Sequence, residues 1–218
     1  MCCREVTVHV LEIVAVIAAI GALFVSAEVL RRRGVSADST RRYTHATGAM
    51  VAAILPAFLS LAEYVAIGLA VAAILGWTRG RGFLRSVHGV DRPTLGATLF
   101  PLGLTIAAMF SWSHPAAYAL GVMTFGLADP AAATVGERIG GPGWAVWRGT
   151  KSLGGSAAFV GVTLLIGLVA SLWAPFGLLA IAAIAVILGA IEGLLGFGLD
   201  NLALPPIAVL AWRSVVGD

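Results

Sequence analysis

From Pro93 to Ala128 the chain runs for 36 residues with no acidic or basic side chain except His114. As one helix this stretch would be about 54 Å long, nearly twice the hydrocarbon core of a bilayer. Ser111-Trp112-Ser113-His114-Pro115 is a natural break, so the stretch reads as two crossings. The pattern recurs. Val6–Leu30 reads as one span. Tyr43–Trp77 carries Glu63 as its only carboxylate and breaks at Pro56 and Ser60–Glu63. Ser156–Ile191 breaks at Trp173-Ala174-Pro175, and Leu202–Val216 could just cross. Charged residues make up 11% of the chain and hydrophobic ones 59%, against about 25% charged in a soluble domain. The expected fold is all-α, a polytopic membrane helix bundle of about eight spans, forming one domain over residues 1–218.

Charge orients the bundle. With eight spans, the loops at 31–42, 78–92, 129–155 and 192–201 share one side. Twelve of the 14 basic residues then fall there, and only Arg4 and Arg213 lie opposite. By the positive-inside rule that side is cytoplasmic, which places the protein in the cell membrane. The basic residues are scattered over short loops, a distribution that excludes a nucleic-acid-binding face. Lys151 is the only lysine. Cys2 and Cys3 are adjacent with no distant cysteine, so no disulfide framework is available; they are dispensable terminal residues or lipid attachment points.

Each of these four loops carries a polar cluster at the membrane edge, where ionisable groups are costly. Glu28 precedes Arg41-Arg42-x-x-His45-x-x-Gly48, and a helix starting near Arg41 puts Arg41, His45 and Gly48 on one face. Asp129-Pro130 reads as a helix start, with Asp129 as N-cap and Pro130 at the first position. Asp129, Ala133, Gly136 and Gly140 then form a small-residue stripe. Lys151-Ser152-Leu153-Gly154-Gly155-Ser156 opens the next span. Glycine amides at a helix N-terminus, a lysine and two hydroxyls make a phosphate cradle. Glu192 with Asp200-Asn201 offers hard oxygen ligands for Mg²⁺, which also uses substrate phosphates. Singly, each cluster also fits an ordinary anchor, cap, helix entry or solvated loop. Together, on one side, they describe a phosphate-plus-metal site.

In this order and spacing, Glu28…Arg41-Arg42-x-x-His45-x-x-Gly48, Asp129-Pro130-x-x-Ala133-x-x-Gly136-x-x-x-Gly140, Lys151-Ser152-x-Gly154-Gly155-Ser156 and Glu192…Asp200-Asn201-x-x-x-Pro205 resemble the polyprenol kinase family. That family includes dolichol kinase, phytol kinase and CTP-dependent diacylglycerol kinases. The resemblance covers nearly the whole chain. It implies transfer of the terminal phosphate of CTP, rather than ATP, to a lipid alcohol with a divalent cation, Mg²⁺. It also aligns Asp129, Gly136, Lys151, Ser152, Gly155 and Ser156 with the family's nucleotide-binding segment. Many members carry Glu where this chain has Gly154.

The residue chemistry agrees with phosphoryl transfer, which needs donor charge neutralised, the hydroxyl aligned and water excluded. Lys151, Arg42 and the Gly154-Gly155 backbone are assigned to phosphate. Arg41, Gly136, Gly140, Ser152, Ser156 and Asn201 complete the nucleotide site. Asp129, Glu192 and Asp200 are metal ligands, with Asp129, Asp200 or His45 as base. The expected acceptor is an isoprenoid alcohol: phytol, geranylgeraniol, a polyprenol or dolichol. The rivals are a CTP-dependent diacylglycerol kinase, a lipid cytidylyltransferase and a membrane transporter.

Overall fold

The computed structural model describes residues 2–91 and 93–216, with side chains from His9 onward. The side chains of Cys2, Cys3 and Arg4, and all of Arg92, lie outside that set. The chain folds as helices α1 Cys2–Arg32, α2 Ala37–Ile54, α3 Leu61–Arg81, the single turn α4 Arg85–His88, α5 Gly96–Ser111 and α6 Pro115–Arg138. A two-stranded antiparallel hairpin follows, β1 Gly143–Val146 with β2 Gly149–Ser152, pairing Trp144 with Lys151. The chain ends in α7 Leu153–Ala170, α8 Leu178–Leu194 and α9 Asp200–Val216. The hairpin was not anticipated; its four glycines from 140 to 149 read as loop. The rest is helical, as expected.

Local chemistry sets most boundaries. Ser36 caps α2, its Oγ accepting from the Ser39 N–H at 3.2 Å. The helix therefore starts a turn before the expected Arg41, yet Arg41, His45 and Gly48 still share one face. Ser60 and Glu63 form a reciprocal capping box at the start of α3, which accounts for a carboxylate inside an apolar run. Pro115 occupies the first position of α6. Ser152 caps α7 through the Gly155 N–H.

Asp129-Pro130 does not start a helix. It lies inside α6, which continues to Arg138. The cap signal is local, whereas the helix is held by its neighbours. Ala128 and Ala132 are buried on either side of the dipeptide, and the Thr134 hydroxyl donates to the Pro130 carbonyl at 2.7 Å. Pro130 leaves the Gly126 carbonyl without its α-helical donor, a loss that membrane helices tolerate where neighbouring elements pack against them. In α9, Pro205 and Pro206 likewise lack the N–H groups that would bond the carbonyls of Asn201 and Leu202. Gly103 of α5 packs against those two carbonyls, so closely that a side chain there would collide with them.

Small residues let the helices meet backbone to backbone, as is usual in membranes. Along α6, Gly121 lies on Val209 of α9, Gly126 on Ala49 of α2 and Gly136 on the start of α7. One core surrounds Tyr118, Val122, Leu104 and Ala52; the other surrounds Phe125, Phe159, Leu188 and Trp212. Large apolar side chains such as Leu172, Trp173 and Leu179 face outward. Residues His9–Arg32 and helices α3, α6 and α7 are long and apolar enough to cross a membrane, and α5 and α8 are shorter apolar helices. Among the described residues four helices thus have the length and apolarity of a span, against the eight spans expected; α2 and α9 overlap the remaining expected segments as helices.

Candidate active site

Three chain segments converge on Lys151. The β2 strand carries it to the end of α8 and the start of α9. There its Nζ donates to Glu192 Oε1 at 2.5 Å and to Asp200 Oδ2 at 3.2 Å. Ser156 on the first turn of α7 donates to the other Glu192 oxygen at 3.1 Å. Both carboxylates are buried. Burial alone would lower the Lys151 pKa, but the charges of Asp200, Glu192 and Asp129 outweigh it and raise it above its ordinary value. Lys151 is therefore an ammonium at neutral pH. Asp129, from α6, belongs electrostatically to the same group.

His45 lies on the other side of Asp129. Its Nε2 is 3.9 Å from Asp129 Oδ2 and has no hydrogen-bond partner although buried. Its ring packs between Phe100, with centroids 4.5 Å apart, and Phe125, at 4.7 Å. Next to it, Arg41 donates to Thr94 Oγ1 at 3.3 Å. Arg41 and the Asn201 amide both crowd Gly96, the first residue of α5, which leaves no room there for a side chain. Gly198, at φ +87°, is pressed against Gly96 and brings the α8–α9 loop to this point.

Arg41, His45 and Asn201 form the polar end of a groove between α1, α2, α3 and α5. The groove is otherwise lined by groups such as Leu23, Val51, Ile67, Val71 and Leu104. Asp200 and Asn201 link the two halves. Asp200 binds Lys151 through Oδ2, while its Oδ1 accepts from the Asn201 side-chain amide at 3.1 Å, and Asn201 lines the groove.

Several predicted site residues have other duties. The amides of Leu153, Gly154 and Gly155 are used internally, bonding the Pro142 carbonyl, the Gly140 carbonyl and Ser152 Oγ. The expected amide cradle at the start of α7 is thus closed. Gly154 is required by packing: a Cβ there would lie 2.7 Å from the Gly140 carbonyl. Gly140, at φ +62°, turns the chain out of α6. Gly136 and Gly155 let α6 and α7 touch, with each would-be Cβ 3.5 Å from the other's Cα. Arg42 points away from the groove and pairs with Glu137 of α6. Glu28 accepts from the Ser86 N–H at 3.3 Å and caps α4. Sequence reasoning missed Thr94 and Trp144, whose Nε1 donates to the Gly193 carbonyl at 2.7 Å and pins the hairpin to α8. Glu137, one helical turn past Ala133, reads from sequence as lying on a face adjacent to Asp129 and outside the site, and it is the partner of Arg42.

Among the described residues no three His, Cys, Asp or Glu side chains stand close enough to cage a metal by themselves. Glu192 and Asp200 are hard oxygen donors already facing a cation, the Lys151 ammonium. Such a pair suits Mg²⁺ arriving with phosphate oxygens as its other ligands.

The chain is 29% identical over 206 residues to a phytol kinase of Synechocystis, an alignment covering 89% of this chain and 88% of that protein. No family model and no solved structure matches. The similarity supports the polyprenol and phytol kinase family that the motifs resemble, and with it a phosphotransferase.

Proposed function

We propose that this relative of the phytol kinases is a CTP-dependent kinase of isoprenoid alcohols, embedded in the cell membrane by eight spans with its site at the cytoplasmic edge. One observation carries the reading: an apolar groove whose polar end, at Arg41, His45 and Asn201, adjoins the carboxylate–lysine cluster of Asp129, Glu192, Asp200 and Lys151. A hydrocarbon chain in the groove would present its hydroxyl beside His45 with no soluble domain needed to shield it. The lining offers few polar groups to read a glycerol ester, which favours an isoprenoid over diacylglycerol.

The chemistry follows from the placement. The alcohol oxygen attacks the γ-phosphorus while the bond from that phosphorus to the β,γ-bridging oxygen breaks, and CDP departs. The hydroxyl proton passes to the neutral His45 imidazole, and Asp129 stabilises the imidazolium that forms. Lys151 neutralises charge on the donor. Removal of one such donor to a developing phosphoryl charge typically costs about 10²–10³ in rate. Asp129, Glu192 and Asp200 would hold Mg²⁺ with the triphosphate, and the ion would draw off negative charge from the β- and γ-oxygens. The apolar walls, with Phe100 and Phe125 against His45, keep water from competing as acceptor.

The test is a donor and acceptor panel with purified protein and Mg²⁺. CTP and ATP are each offered with phytol, geranylgeraniol, a polyprenol, dolichol and diacylglycerol. The reading expects phosphorylated isoprenoid with CTP preferred. Phosphorylation of diacylglycerol alone, or of no lipid by protein that binds no nucleotide, would contradict it and favour the glycerolipid or transporter alternative.

A further inference from the structure

The groove runs along α2 and α3. On α2 its lining runs from Arg41 to the 3-10 turn at Leu55, and on α3 from Leu75 back to Tyr64. Tyr64 lines its far end and is itself buried against Tyr118. The Tyr64 and Tyr118 hydroxyls bond each other at 2.5 Å inside an apolar core, one donating and the other accepting. The Trp112 ring backs both, with centroids 5.3 Å from Tyr64 and 6.4 Å from Tyr118.

We propose that this groove is a length gauge for the acceptor, with Tyr64 as its floor, and that it takes alcohols of three to four isoprene units. The inference deepens the kinase reading and rests on it. At 1.5 Å per residue, His45 to Leu55 spans about 15 Å and Arg41 to Leu55 about 21 Å. With carbon–carbon bonds near 1.5 Å, an extended chain advances about 1.25 Å per bond, so this depth holds about 12–17 bonds. Four bonds make one isoprene unit along the chain. The occupant is a slender apolar chain with one polar terminus, because the charged and amide groups that adjoin the lysine–carboxylate cluster, Arg41, His45 and Asn201, all sit at one end and the walls beyond them are apolar up to Tyr64. A chain of eleven units cannot be housed without displacing Tyr64 or spilling out of the open side.

The experiment measures kcat/KM for alcohols of two, three, four and eleven isoprene units with wild type, Tyr64→Ala, Tyr64→Phe and Ala52→Leu. Ala52 lines the groove about 10 Å from the level of His45 toward the floor, so a leucine there shortens the groove. Wild type should peak at three or four units and fall by about tenfold or more at eleven, the scale on which pocket fit discriminates apolar chains. Tyr64→Ala should narrow that gap, Tyr64→Phe should keep it, and Ala52→Leu should move the peak to two or three units. If Tyr64→Ala cannot be extracted folded, Ala52→Leu decides alone. A flat profile in wild type, or an unmoved peak in Ala52→Leu, overturns the gauge while leaving the kinase reading intact. Absence of turnover with every length overturns both.

Discussion

His45 Nε2 lies 3.9 Å from Asp129 Oδ2 at the point where the apolar groove meets the lysine–carboxylate cluster. The two residues come from different helices, α2 and α6, and α6 is held against α2 by Gly126 lying on Ala49. This contact sets the distance between the groove and the charges.

Asp129→Asn should therefore cost about 10²–10³ in kcat, with no change in the amount of folded protein extracted. Steady-state kinetics on the purified variant checks this. Activity within about threefold of wild type, under 1 kcal/mol in barrier, would reduce Asp129 to a helix-packing residue.

Lys151→Met removes the cation between two buried carboxylates, and breaking such a pair by one partner costs about 3–5 kcal/mol. Loss of activity in that variant alone is ambiguous. Lys151→Met combined with Glu192→Gln removes part of the uncompensated charge and should recover much of the thermal stability without recovering turnover. Recovery of both would show that Lys151 acts only as a structural counter-ion.

The pH dependence has a definite sign. The Lys151 pKa is raised above its ordinary 10.5 by Asp200, Glu192 and Asp129 acting against burial. The stabilisation it gives is complete below 10.5 and is lost as pH rises through the higher folded value. Thermal melts in detergent should show an alkaline decline above about pH 10.5, absent in Lys151→Met. A lysine-dependent decline between pH 7 and 9 would mean that Lys151 is lowered instead.

Where the sequence could be read, the information was local. Ser60 with Glu63, His114-Pro115 and Ser152 each carry the start signal of a helix within four residues, and each boundary falls where expected. Asp129-Pro130 carries the same signal and means something else, because packing of Ala128 and Ala132 continues α6 through it. Arg41, His45 and Gly48 showed one face by their spacing. Their groove needs α3 and α5, and nothing local points there. The bond from the Gly154 amide to the Gly140 carbonyl closes the phosphate cradle suggested by composition, and that bond spans a hairpin hidden among glycines.

Glycine contacts along α6 should be sensitive to single methyl groups or slightly more. Gly126→Val drives a side chain into Ala49 and should destabilise by about 1–3 kcal/mol or more. Gly161→Ala, in α7 with nothing within 4 Å of its would-be Cβ, should be neutral or stabilise by about 0.5–1 kcal/mol. Melting temperatures in one detergent compare them directly, and equal effects would contradict the packing described.

The orientation makes its own prediction. Single cysteines in loops 31–42 and 78–92, on a background lacking Cys2 and Cys3, should resist an impermeant thiol reagent in intact cells and react after lysis. Labelling of either loop from outside would place the site on the opposite face.

The most direct measurement of the central claim is the origin of the phosphorus in the product. Purified protein is given Mg²⁺, geranylgeraniol and CTP labelled at the γ or at the α position. The account predicts lipid labelled only from the γ position, with CDP released, and loss of that product in Asp129→Asn. Lipid labelled from the α position, with pyrophosphate released, would contradict it and identify a cytidylyltransferase.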